Sequence, residues 1–426
     1  MTAIGGFVRL GRRWFVAAGA LLAMGLAAGP ALAQDPIGRV LGTGGTEWTG
    51  FDAAPVGAAD VRTTTPILSP QIVTALQAAI TRYSDIVARG GWPQVPAEKV
   101  LRVGVRDPAV PILRQRLAVS GDMPPATGYS DVFDSYVEAA VKRFQARHGI
   151  QADGIVGEST YEALNLPATV RLTQLATNLT RLRILTSEAM PERFVIVNIP
   201  AASAEAVENG RVVLRHTAVV GKVDRPSPIV NSRITEINFH PFWTVPVSII
   251  RRDLIPLMQK DPNYLTDYRI RVYDQKGDEL APQQIDWTTD EATNYMFRQD
   301  PGDENSLGLV KINFPSPDGV YMHDTPHKSL FIEDYRFDSS GCVRIQNIRE
   351  LIVWLLKDTP GQTREVIDSE FRSYERKDVR LATPVPLHWT YITAWATEDG
   401  IVNFRNDIYN LDGLEQYSPL SIARPL

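Results

Sequence analysis

A single cysteine stands among the 426 residues of this chain. Cys342 follows Ser339-Ser340-Gly341, and two of the six histidines, His323 and His327, lie a short way before it in the stretch YMHDTPHKSLFIEDYRFDSSGCVRIQN, residues 321–347. The chemistry such a group offers is attack on carbonyl carbon. Only the thiolate performs it, and a thiol of pKa ~8.5 is a few per cent ionised at neutral pH. A base is therefore needed beside the sulfur. His323 is the candidate, because the run from 323 to 342 is long enough to leave one strand, cross a loop and return alongside its start. The glycine before the cysteine suits a tight turn with exposed backbone, whose N–H groups can face a developing oxyanion. His323 and His327 also form an HxxxH pair, which on a helix would suit zinc; Thr325-Pro326 breaks that helix, so no metal is assigned and His327 is a loop residue.

The blocks HDTP at 323–326, Tyr335-Arg336 and SSGCVR at 339–344 resemble the signature of the L,D-transpeptidases, the YkuD-type cysteine enzymes that cross-link bacterial peptidoglycan. That pattern is a histidine, a spacer of this length, a Ser or Thr, one residue, then Gly-Cys with Arg or Asn two positions on. The position before the glycine is often a second histidine; here it is Ser340, as in the larger, lid-bearing branch. A lone cysteine is otherwise a small buried hydrophobe. Its two serines and glycine, with the family pattern, make it a nucleophile.

The resemblance implies covalent acyl transfer. Cys342 would attack the carbonyl between diaminopimelate and D-alanine in a donor tetrapeptide stem, releasing D-alanine and leaving a thioester. His323 would take the thiol proton and later deprotonate the amine of an acceptor stem, its ring oriented by a backbone carbonyl near Asp324. The turn Ser340-Gly341-Cys342, with the Tyr321 hydroxyl, would hold the oxyanion. Two roles are open to Arg344, a planar fork on a stem carboxylate or a brace for the cysteine loop. Arg336 shares that ambiguity, nearer the brace, and Ser339 is grouped with them on the substrate side. Hydrolysis by the same thioester, an L,D-carboxypeptidase, is the alternative enzyme; a wall-binding protein with a silent catalytic fold is the alternative class. Another stem, a free D-amino acid or the N-terminus of an outer-membrane protein are all acceptors used within the family. Family members accept carbapenems as substrate mimics. No cofactor is called for.

These side chains need strands to carry them. From Arg193 the apolar period becomes two, in FVIVNIP, RVVLRHTAVVG and SRITEINF. The fold class expected is multidomain α+β, with a β-sandwich-like catalytic domain at 193–365 interrupted by a cap at 247–305. In the cap, Ile249–Met258 is helical, 291–299 polar and 300–308 turn-rich. A lid excludes water, which competes with the acceptor amine for an acyl-enzyme. Trp243 falls where lid-bearing relatives place an aromatic beside substrate, or else fills core beside two prolines. His240 is a core or loop histidine. The strand at 309–314 leads to Tyr321, and 348–356 is an apolar helix behind the nucleophile. A C-terminal extension, 366–426, carries a strand pair at 383–405 turned at 398–400, with His388 structural, and packs on the scaffold.

Upstream, residues 1–33 have the form of an export signal: Arg9, Arg12 and Arg13, then fourteen residues of apolar run from Phe15 to Ala28, then Ala-Leu-Ala. A membrane span needs about twenty residues, so export to the periplasm is expected, with no transmembrane anchor after processing. Arg12, Arg13 and Phe15 also fit a twin-arginine signal. An exported compartment favours disulfides, yet this cysteine has no partner in the chain. Residues 34–64 are a tether, 65–100 a helical scaffold segment and 167–192 a connecting helix with a leucine stripe. Between them, 101–166 contains two amphipathic helices and the run FQARHGIQADGIVGESTYEAL, which is similar to the peptidoglycan-binding-domain family, a three-helix bundle. His148 in its loop is a turn residue. Composition fits soluble globular domains, and a net charge of −5 argues against a nucleic-acid partner. Stem peptides and glycan are the expected partners.

Overall fold

The computed structural model describes residues 63–125 and 129–413. The leader expected at 1–33 and nearly all of the 34–64 tether lie outside those residues. Helix α1 (Pro70–Ala88) begins at Ser69, whose hydroxyl accepts the Ile72 N–H, and proline fills the first helical position. Its buried edge, Ile72, Leu76, Ala79, Tyr83 and Ile86, has the spacing of one helix face. Helices α2 (Ala109–Val119), α3 (Ser135–His148) and α4 (Glu158–Asn165) close a small bundle around Leu113, Leu117, Val141, Phe144 and Leu164. Asp134 caps α3 through the N–H groups of Tyr136 and Val137, and Gly149, at φ 69°, ends it in the left-handed region. Helix α5 (Ala168–Leu185) ends before the 192 expected, at Thr186, whose hydroxyl donates back to the Leu182 carbonyl. Its buried edge is not leucine alone. Gln174 and Asn178 reach Thr393 and Arg405 by hydrogen bonds of 2.7–3.4 Å.

The strand half runs β1 (Arg193–Asn198), β2 (Ser203–Glu208), β3 (Arg211–Gly221), β4 (Val230–Phe239), β5 (Trp243–Thr244), β6 (Ile270–Tyr273), β7 (Glu279–Leu280), β8 (Met296–Gln299), β9 (Val310–Asn313), β10 (Met322–His323), β11 (Phe337–Ser339), β12 (Val343–Ile345), β13 (Lys377–Thr390), β14 (Ala394–Ala396) and β15 (Val402–Phe404). Nine of them form one sheet in the order β11-β3-β12-β10-β9-β4-β13-β1-β2, and β2 pairs back onto β3. The sandwich-like domain is thus realised as one sheet curled shut. Val195, Ala218, Ile237, Ile312, Met322, Val343 and Leu387 fill it, and helix α6 (Ile348–Leu356) adds Leu351, Ile352 and Leu355.

Two boundaries differ from expectation. Strand β13 lies between β4 and β1, so the catalytic sheet runs past 365; of the described C-terminal residues, Ile392 and the strands β14 and β15 join the α1/α5 cluster. A register break between Arg380 and Val385 splits β13 where Pro384 has no N–H to give, which hid its length in the sequence. The cap begins at Trp243 rather than 247, since β5 belongs to a separate four-stranded sheet, β5-β8-β6-β7. That sheet and the helical run 247–260 bury their own cluster of Val245, Ile250, Leu254, Val272 and Phe297. Strands of four residues carry too little periodicity to be told from loops.

Candidate active site

Strand β10 is two residues long, and its register decides the site. Met322 lies opposite Ile312 on β9 and Val343 on β12; His323 lies opposite Lys311 and Arg344. Met322, Ile312 and Val343 are fully buried in the core. Alternation therefore sends Lys311, His323 and Arg344 to the other face, together with Tyr321 and Cys342. Tyr321 and Cys342 are brought alongside by the Val343 N–H, which donates to the Tyr321 carbonyl at 3.1 Å. The chain leaves at His323 and returns parallel at Val343, as the spacing of the two residues requires.

The imidazole Nδ1–H donates to the Asp324 carbonyl. Asp324 is pinned to hold that carbonyl in place. Its N–H donates to Val310 O at 3.0 Å, its carboxylate accepts the Leu309 N–H at 3.0 Å, and Lys328 pairs with it. With Nδ1 protonated, Nε2 carries the lone pair. Burial first, and then the nearby charges of Arg344 and Lys311, push His323 down to about 3. Burial pushes the Cys342 thiol up, opposed by the Tyr321 main chain and hydroxyl and by Lys311 and Arg344. The resting pair is a neutral thiol and a neutral imidazole. Among the described residues the two form no direct hydrogen bond; the imidazole's contacts are Asp324 O and the Tyr321 ring, edge-on at 5.7 Å between centroids.

The turn before the nucleophile is locked from inside. Ser339 is buried, its hydroxyl donating to Cys342 O at 2.5 Å and accepting the Gly341 N–H at 3.2 Å. Gly341 sits at φ 109°, where a side chain would be strained, and its carbonyl accepts the Ser227 hydroxyl at 2.8 Å. Two expectations change as a result. Ser339 turns inward and braces the turn, and the Gly341 N–H is already engaged by its hydroxyl. Arg336 is likewise a brace: it is buried, and its guanidinium donates to Glu333 O at 2.7 Å. Arg344 leans on Asp338 at 3.7 Å while 22% of its side chain stays exposed, so the geometry keeps both of its roles.

The cap reaches the site through two residues. Trp243 Nε1 donates to the Tyr321 hydroxyl at 3.2 Å, so it is neither simple core filling nor free. Arg225 grips Asp253 of the cap with both terminal nitrogens, at 2.5 and 2.9 Å, and also donates to Ser340 Oγ at 3.0 Å. Beside that clamp a cavity of about 360 Å³ is lined by Arg225, Ser248, Arg252, Asp318, Ser340 and Gly341. Sequence reasoning singled out neither Lys311 nor Arg225. For Lys311 a signal existed, since the strict alternation of Val310, Lys311, Ile312 and Asn313 puts it on the face away from the core.

His240 and His148 are held by main-chain carbonyls. His240 bonds Glu370 O at 2.8 Å. His148 bonds Phe144 O at 2.7 Å and stacks between Phe144 and Phe404. A Cβ on Gly149 would fall 2.6 Å from the Arg405 side chain, so this loop of the bundle is closed against β15. No cluster of three His, Cys, Asp or Glu able to hold a metal occurs among the described residues, and no helix there is long and apolar enough to cross a membrane.

Residues 192–367 match the family described as the L,D-transpeptidase catalytic domain, YkuD, and residues 106–164 match the family described as "Putative peptidoglycan binding domain". A curated relative from Haemophilus influenzae, named "Putative L,D-transpeptidase", is 34% identical over 56% of this chain; the chain spans about half, 48%, of that relative's length. Among solved structures, an L,D-transpeptidase from Stackebrandtia nassauensis is 15% identical, covering 70% of this chain and 96% of that one at a TM-score of 0.26. One from Mycobacterium smegmatis is 14% identical, covering 47% and 58% at 0.23. By these matches the chain carries a YkuD-type L,D-transpeptidase catalytic domain at 192–367 and, ahead of it, a domain like those of the peptidoglycan-binding family at 106–164.

Proposed function

We propose that this protein is a peptidoglycan L,D-transpeptidase that works through a Cys342 thioester. The observation that carries the reading is the single face shared by Cys342, Tyr321 and His323, with the imidazole's Nδ1 tied to a carbonyl and its Nε2 lone pair free to accept. Sγ attacks the carbonyl before the terminal D-alanine of a donor stem as its proton passes to His323 Nε2. The oxyanion takes hydrogen bonds from the Cys342 N–H and the Tyr321 hydroxyl. Collapse expels the D-alanine amine, which receives the proton back from His323. An imidazolium buried between two cations is a strong acid, and that favours this second transfer. The side-chain amine of a diaminopimelate in an acceptor stem then attacks the thioester and gives a proton to His323 Nε2; the amide forms as the carbon–sulfur bond breaks, and the Cys342 thiolate takes that proton back from His323. Apo hydrogen bonds at such pairs are commonly long and tighten in the substrate complex, which accommodates the absent Cys342–His323 bond.

The cavity beside Gly341 suits a stem peptide, because the exposed Arg252 in its wall can meet a carboxylate. The cap supports aminolysis over hydrolysis: it is fastened to the site at Trp243 and Arg225, where it can shed water from the thioester. Export to the periplasm and action on the wall follow from the leader-like segment and the substrate. Purified protein given tetrapeptide stems is expected to release D-alanine and form cross-linked dimers. Monomeric tripeptide alone would identify a carboxypeptidase, and a folded protein with no turnover would identify a wall-binding protein. Offering a D-amino acid or a protein N-terminus in competition with stems reports the acceptor.

A further inference from the structure

Lys311 occupies an uncomfortable position. From β9 it faces His323 in register, as Arg344 does from β12. Its ammonium lies 4.2 Å from the centroid of the Tyr321 ring, within cation–π range. Neighbouring lysines have carboxylates: Lys222 pairs with Asp338 at 3.4 Å, and Lys328 with Asp324. Lys311 forms no ion pair among the described residues, and Glu236 and Asp378 act on it only from a distance. A half-buried cation without a counter-ion is costly unless an anion forms beside it. The anion that reaction would create on this face is the thiolate.

We propose that Lys311 is a positioning residue for the reaction: held over the Tyr321 ring, its ammonium supplies, with Arg344, the counter-charge against which the Cys342 thiolate forms. This rests on the reading of Cys342 as nucleophile. The proton leaves Sγ for His323 Nε2, the electron pair stays on sulfur and then makes the carbon–sulfur bond; Lys311 neither gives nor takes a proton. The surrounding charges are consistent with that role. Tyr321, just before β10, and His323 on it share the face of the thiol with Lys311 from β9 and Arg344 from β12. Asp338 on β11 offsets Arg344 at 3.7 Å, and Asp253 holds the Arg225 charge beside Ser340. The cap's contribution at Tyr321 is the uncharged Trp243 indole. Among the described residues on this face, Lys311 is left as the cation without a directly bound carboxylate. Its charge and that of Arg344 both favour the thiolate against the opposing effect of burial.

The chain has one cysteine, so alkylation by iodoacetamide, followed by intact mass from pH 5 to pH 10, reports Cys342 in the full chain without any turnover. In Lys311→Met the apparent thiol pKa is expected to rise by about one unit, slowing alkylation at pH 7 about tenfold. Lys311→Arg should keep the wild-type profile, and Lys311→Gln, which retains a polar head, should follow Met if Met fails to fold. Met and Gln variants with the wild-type profile would overturn the proposal, and so would an Arg variant shifted as far as Met. A shift on removal of the charge, in a protein that never cross-links stems, would sink the transpeptidase reading and leave this one standing.

Discussion

Cys342 and His323 share one face because a strand goes out at His323 and comes back parallel beside itself at Val343, an arrangement that their spacing in the sequence suggests. What could not be read there was the charge state. Burial and two flanking cations keep His323 neutral far below its ordinary range, and that depends on register across β9, β10 and β12. The consequence for stability has a definite sign. A histidine whose folded value is depressed contributes stability that is fully present above its unfolded value near ~6.5 and is lost as pH falls toward the folded one. His323, at about 3, and His216, buried and held to about 4 mainly by desolvation, both belong to this class. Denaturant titrations from pH 7 to pH 4 should show stability falling as protons are taken up on unfolding, with a shallower slope in His216→Gln. An unchanged slope would mean that His216 titrates normally in the fold. Ser339 and Arg336 show the converse limit: both lie in the motif, yet the hydrogen bonds that turn them inward are invisible until the turn is built.

At the scale of elements, the helices and the long strands were foreseeable from their periods, whereas the cap sheet and the full length of β13 were not. In β13, Pro384 interrupts pairing and breaks one long strand into apparent fragments. In the cap, β6 and β8 are held by partners distant in sequence and not by their own pattern. The cap's grip on the site makes a prediction at this scale. Trp243→Ala removes the hydrogen bond to Tyr321 and loosens the lid edge, so water should gain on the acceptor amine. The ratio of monomeric tripeptide to dimer in the products is expected to rise by about an order of magnitude while D-alanine release persists. A ratio that does not move would mean that the indole plays no part in excluding water.

Across the whole molecule, the bundle, the scaffold helices and the closed sheet are stitched by polar contacts that no apolar pattern announces. Arg147 is the clearest case. It is buried, binds Asp122 bidentately at 2.6 Å, and donates to Val402 O on β15 at 3.2 Å. Asn178 and Gln174 on α5 hold the chain around Thr393 and Arg405 in the same way. The sequence could suggest separate modules but not that the His148 loop of the bundle would close against β15. Asp122→Ala leaves Arg147 buried without its carboxylate, a loss of about 3–5 kcal/mol by comparison with other broken buried pairs. Because the contact crosses from bundle to strands, chemical denaturation should lower one shared transition. A second, earlier transition confined to helical signal would show instead that the bundle unfolds independently.

The central claim is a covalent bond between Cys342 and a stem peptide, and intact mass is its most direct measure. After brief incubation with a defined tetrapeptide stem, the wild-type chain should gain the mass of the stem less D-alanine, mapped by digestion to the peptide holding Cys342, and Cys342→Ala should gain nothing. An acyl adduct of the same mass on the alanine variant, or cross-linking by that variant, would contradict the account.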